Sequence, residues 1–181
     1  MKYAETLTPI LAFLDEIGVP CAPGAVSEAS FLPGVAIVEG ALVYDAGQIS
    51  APGDLLHEAG HLAAVPERWR PAMTDNVDAS LAALIKAEPD AAAFTHTDLF
   101  PIAWSWAAAL HIGVDPACIF EAGGYGAQGG GETAALDRQL RNGLFLGIPM
   151  LADAGLCAAP PPFGDGTDPA PFPAMKRWLR A

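Results

Sequence analysis

Basic residues are scarce. Nine Lys and Arg stand against 21 Asp and Glu, which leaves a formal charge of −12 and an isoelectric point near 4.4. A surface of that sign repels phosphate backbones and anionic lipid, so neither nucleic acid nor a membrane surface is an expected partner. Cysteine is scarce as well. Cys21, Cys118 and Cys157 are odd in number and far apart. They make neither a disulfide framework nor a CxxC metal pair, which predicts a reducing, cytoplasmic setting. Long hydrophobic runs are missing. The longest stretch free of Asp, Glu, Lys and Arg, residues 99–114, contains Pro101 and His111 and falls short of the about 20 residues a membrane span needs. Glu5, Asp15 and Glu16 interrupt what would be the apolar stretch of a signal peptide, so no targeting segment is expected.

What the chain has is apolar bulk. Its 181 residues are 52% hydrophobic with a mean hydropathy of +0.30, enough for one domain with its own core and too much for disorder. Much of that content is alanine, which favours helices more than it fills volume. Tyr3, Leu7, Ile10, Leu14 and Ile17 follow a helical stripe, with Thr8-Pro9 as its expected start and Gly18 as its stop. VAIVEGALVYD reads as a hairpin turning at Glu39-Gly40. Asp54 is the expected N-cap of the next helix, which Pro66 should end near Val65. Further helices are predicted around residues 80–87, 98–111 and 132–142, the last stopped by Gly143. Together these predict an α+β domain over residues 1–157. Residues 158–181 read as a proline-rich extended segment with a basic tail that packs back on the domain through Met175, Trp178 and Leu179.

Within the second predicted helix stands DLLHEAGHLA, residues 54–63. His57 and His61 are one helical turn apart and project from one face. Two imidazole nitrogens so placed can meet one tetrahedral Zn²⁺ at about 2.0–2.1 Å. Glu58 is rotated by about 100° from His57, which sets it beside the metal rather than on it. Lowering the pKa of water to about 7 requires the metal, and accepting its proton requires the carboxylate. With four histidines in the chain, HExxH arises by accident in roughly 0.4% of such sequences, so chance explains it poorly. The competing reading is a histidine pair satisfied by the core or by solvent. Gly60 is costly inside a helix, by about 1 kcal/mol against Ala, and implies close packing or substrate approach at that turn.

HEAGH with these neighbours resembles the zincin metallopeptidases. The order of hairpin, HExxH helix and second apolar helix is similar to the small ImmA/IrrE-type peptidase domains. DLLHEAGHLA followed by PIAWSWAAALHIG resembles an uncharacterised group of bacterial zincin-like proteins, over roughly residues 30–150. The resemblance implies a minimal zincin-like fold, a zinc cofactor and a peptide or protein substrate. It also implies a third ligand at the start of the second helix, where related families carry glutamate. The matching residue here is Asp98, one methylene shorter, so the helix must sit closer to the metal or bind it through water; zinc accepts either carboxylate. Asp98 is also in position to be a plain N-cap, and His96, two residues away, is a softer candidate ligand. His111 lies more than three turns further on and reads as a C-terminal helix histidine.

GYGAQG, residues 124–129, matches GxGxxG, but no strand–helix–strand context surrounds it, so a dinucleotide site is not expected. Tyr125 in that loop is a candidate donor to the oxyanion of a tetrahedral intermediate, against the plainer reading of an exposed loop tyrosine. Trp104, Trp106, Leu110 and Ile112 read as core. Leu42–Tyr44 reads as an edge strand able to pair with an extended peptide, or as scaffold. The leading expectation is therefore a zinc hydrolase, with His57, His61 and Asp98 (or His96) on the metal and Glu58 and Tyr125 at the chemistry. The alternative is a non-catalytic binding module on the same fold.

Overall fold

A computed structural model describes residues 2–121 and 133–181. The architecture is α+β: helices α1 (Lys2–Glu16), α2 (Asp54–Ala64), α3 (Val77–Ala87), α4 (Leu99–His111), α5 (Thr133–Arg141) and α6 (Gly147–Asp153) accompany a small mixed sheet. Single 3₁₀ segments, Glu67–Ala72, Pro89–Phe94 and Pro116–Phe120, link them. Among the described residues, no helix is long and apolar enough to cross a membrane.

The sheet holds β1 (Cys21–Pro23), β2 (Val35–Val38) and β3 (Ala41–Tyr44) in the order β1-β3-β2. β2 and β3 form the expected antiparallel hairpin, with Val38 opposite Ala41. Its two turn residues, Glu39 and Gly40, both have positive φ, 49° and 78°, the mirror-image turn whose twist suits a tight hairpin. One expectation fails here. Leu42–Tyr44 is not an edge, because β1 pairs with it in parallel, Cys21 against Leu42. CAP is too short and proline-bearing to announce itself as a strand, and its partner is named only by the fold.

α1 also departs from the reading, since it starts at Lys2 and carries Pro9 inside it. Proline removes one donor to the carbonyl four residues back. That residue, Glu5, is exposed, so solvent can serve the orphaned group. α2 is buried at every residue from Asp54 to Ala64. Asp54 is not its N-cap. Gly53 holds that position, where any Cβ would strike the Cys118 carbonyl, and Asp54 is fully buried one step inside.

α2 packs against both the sheet and α4, and α6 packs against α4 as well. The α2–α4 contact is very close at one point: a Cβ on Gly60 would lie 2.6 Å from Pro101 Cα. Close packing thus explains the mid-helix glycine. Trp104 and Trp106 are buried in α4 as expected, but Leu110 is exposed. α4 is closed off just beyond His111 by Gly113, whose φ of 72° lets Val114 N–H reach back to the Ala109 carbonyl, a Schellman closure.

The proline-rich segment forms turns instead of an extended strand, for example where Phe163 and Gly164 N–H both donate to the Pro160 carbonyl. Beyond it, Phe172 stacks on Trp106 at 5.8 Å. Trp178 sits edge-on to Phe13 at 4.9 Å and to Trp104 at 5.6 Å, and its carbonyl accepts from Trp104 Nε1. Arg180 N–H donates to the Ala63 carbonyl at the end of α2.

Candidate metal centre

Because α2 is a regular helix enclosed on nearly all sides, His57, Glu58 and His61 have fixed directions. All three are buried, at 1%, 5% and 7% exposure. They reach the floor of a cleft of about 400 Å³ whose walls include Phe31, Asp75, Asp78 and Asp98. Asp75 is fixed there by accepting from Phe31 N–H. Asn76 caps α3 by accepting from Ala79 N–H, and Asp78 in the first turn of that helix lines the cleft.

Asp98 occupies the N-cap position of α4 yet makes no side-chain capping bond. Its Oδ1 instead lies 3.6 Å from His61 Nε2. One ligand atom from each of His57, His61 and Asp98 falls within 4.8 Å of the others. Two donors at about 2.05 Å from a tetrahedral ion stand roughly 3.4 Å apart. The His61–Asp98 pair already has that spacing, and the donor set of two imidazoles and one carboxylate is one that zinc accepts. The Asp98 side chain is 57% exposed, so the cluster has one side open to solvent.

The electrostatics follow from burial. Desolvation, reinforced by His96, drives His57 down to about 3. Desolvation with His57 and His96 nearby holds His61 well below the usual histidine range. Both rings are therefore neutral near pH 7, the form that ligates metal. Glu58 moves the other way, up to about 8, through burial first and then the negative charges of Asp75, Asp54 and Asp98. A divalent cation beside it would reverse that logic and favour the anion. Burial raises the thiols of Cys21, Cys118 and Cys157 to about 11, 12 and 11, and all three are unbridged. None is an activated nucleophile.

His96 is drawn in without joining the ligand set. It is 8% exposed, its Nε2 is 3.0 Å from His61 Nδ1, and its Nδ1 is 3.1 Å from the Phe94 carbonyl. Both ring nitrogens are thereby taken, one by His61 itself and the other by the Phe94 carbonyl. His111 ends α4, remote from the cluster, and packs on Phe13 and Trp178. Tyr125 and the GYGAQG loop lie outside the described residues. The acidic cleft wall, Asp75 and Asp78, went unread in the sequence, because a polar stretch between helices has no pattern that says which way it faces.

Comparison with protein-family models, with curated proteins and with solved structures finds no match to this chain.

Proposed function

We propose that the chain is a zinc-dependent hydrolase of zincin type, acting on peptides or proteins. The observation that carries this reading is the convergence of His57, His61 and Asp98 ligand atoms within 4.8 Å, on a solvent-open cleft that Glu58 also lines. These three residues would hold the zinc. When bound, the ion supplies Lewis acidity, lowering the pKa of water and polarising a substrate carbonyl.

The chain's own residues do the rest. Glu58 takes the proton of the attacking water and returns it to the departing amide nitrogen, a general base and then a general acid. Its burial suits that role, because a carboxylate in a dry site is a stronger base than one in water. The charged lining of the cleft, Glu58, Asp75, Asp78 and Asp98, is acidic throughout. With one divalent cation and neutral histidines, Asp98 and Glu58 balance the ion, and Asp75 and Asp78 remain as excess negative charge. Peptides bearing Lys or Arg next to the scissile bond are therefore better substrates than those bearing Glu.

Glu58→Gln tests the reading. It should lower peptide hydrolysis by about 10²–10⁴-fold, the worth of a positioned general base, while zinc stays near one per chain by elemental analysis. Loss of zinc together with activity would make Glu58 a ligand or a structural group. A zinc-loaded wild-type protein that cleaves nothing in a diverse peptide library would end the hydrolase proposal.

A further inference from the structure

We propose that His96 is a positioning residue, an acceptor that holds His61 in its Nδ1–H form and aims the His61 Nε2 lone pair at the cation shared with His57 and Asp98. The inference rests on the metal reading above. Its argument begins at the Phe94 carbonyl, which can only accept. His96 Nδ1 lies 3.1 Å from that oxygen and so carries a hydrogen. A neutral imidazole protonated on Nδ1 has its lone pair on Nε2. That Nε2 is 3.0 Å from His61 Nδ1, so His61 must donate there and is left bare at Nε2.

The bare nitrogen faces Asp98 Oδ1 at 3.6 Å. Two electron-rich atoms opposed at that range repel each other, and a cation between them turns the repulsion into ligation. The Phe94 end of the relay is itself clamped. The Arg180 guanidinium lies 4.9 Å over the Phe94 ring, and Arg180 N–H and carbonyl are tied to Ala63 and Arg70. His96 also packs on the Phe100 ring at 5.7 Å, so its orientation is set from both sides. Outer partners of metal-bound histidines fix tautomer and ring angle in this way, and losing one typically costs about 10–100-fold in metal affinity.

Three measurements on the full chain decide it. In His96→Leu the acceptor is gone, and zinc affinity by chelator competition should fall by about 10–100-fold with the helical circular dichroism retained. His96→Gln keeps an acceptor near the ε position and should recover most of that loss, which a role in packing alone would not produce. Nitrogen-15 spectra of metal-free wild-type protein should show His61 protonated on Nδ1. That last reading stands even if His96→Leu fails to fold. Unchanged zinc affinity in a folded His96→Leu, or His61 protonated on Nε2 in wild type, overturns the proposal. If wild-type protein takes up no zinc at all, the metal reading falls, and the His61 tautomer reports separately on whether the relay exists.

Discussion

Gly60→Ala probes the contact that assembles the site without touching a ligand. A Cβ there would lie 2.6 Å from Pro101 Cα and 2.7 Å from Pro101 Cβ. Ordinary carbon contacts are about 3.5–4.0 Å, so α2 and α4 must separate by roughly 1 Å. Overpacking of this kind costs about 1–3 kcal/mol, and alanine's better helix propensity offsets about 1 kcal/mol of it. The net loss is about 1 kcal/mol, a drop in melting temperature of roughly 2–4 °C for a chain this long. The effect on metal should be larger than that. His61 is the next residue on α2, and Asp98 stands three residues before Pro101 at the head of α4. Separating the helices by roughly 1 Å takes the 3.6 Å His61–Asp98 spacing to about 4.6 Å, against a tolerance of about 0.2 Å for a metal ligand. Zinc affinity should fall at least about tenfold, or about 1.4 kcal/mol. Thermal unfolding of metal-free protein and chelator competition measure the two quantities. A variant more stable than wild type that binds zinc equally well would show that the helices do not meet at this glycine.

Asp98→Ala separates ligation from capping. Because Asp98 makes no capping bond, metal-free stability should change by less than about 0.5 kcal/mol, whereas zinc affinity drops; a loss of about 1 kcal/mol without metal would instead mark an N-cap. Metal-free protein should be most stable near pH 6.5. Below that, His57, His61 and His96, held neutral by burial, take protons only on unfolding, and this outweighs Glu58. Between pH 7 and 8, where the unfolded histidines have largely lost their protons, Glu58 keeps its proton in the fold and ionises on unfolding, so stability falls as pH rises; stability that climbs with pH across that interval would contradict the burial of Glu58. Trp178→Ala removes a half-buried indole from Phe13, Trp104 and His111 and should cost about 2 kcal/mol in denaturant unfolding, less than the about 3–5 kcal/mol of a fully buried tryptophan.

The parts of this molecule legible in its sequence are those fixed within one element. The end of α2 followed from Pro66, and the hairpin from Glu39-Gly40. The face shared by His57 and His61 follows from helical spacing alone, because one turn of helix is the same in any protein. The parts that escaped depend on partners distant in the chain. β1 exists because Leu42 offers it a ladder. Gly53, not Asp54, begins α2, at a point where the Cys118 carbonyl leaves no room for a Cβ. His96 entered beside the ligand set rather than in it because the Phe94 carbonyl and His61 occupy its two nitrogens.

The glycine that was visible as a local cost turns out to be the link between these two kinds of information. A helix carrying two histidines cannot complete a three-ligand site by itself; it needs another element brought close at a definite height. Gly60 sits one residue before His61, and the α4 backbone crosses it at Pro101. That crossing brings the first turn of α4, with Asp98 just ahead of it, alongside the second histidine. Nearly any side chain at position 60 would hold the helices apart and leave His57 and His61 as a pair with no third donor. The position is therefore less a weak point in the helix than the condition for the cluster. Its local penalty of about 1 kcal/mol is small beside what a third ligand would contribute to holding a divalent cation. The same reasoning places the His96 relay: once α4 is seated, the loop from Phe94 to Asp98 must pass behind His61, and the residue that passes there is an acceptor.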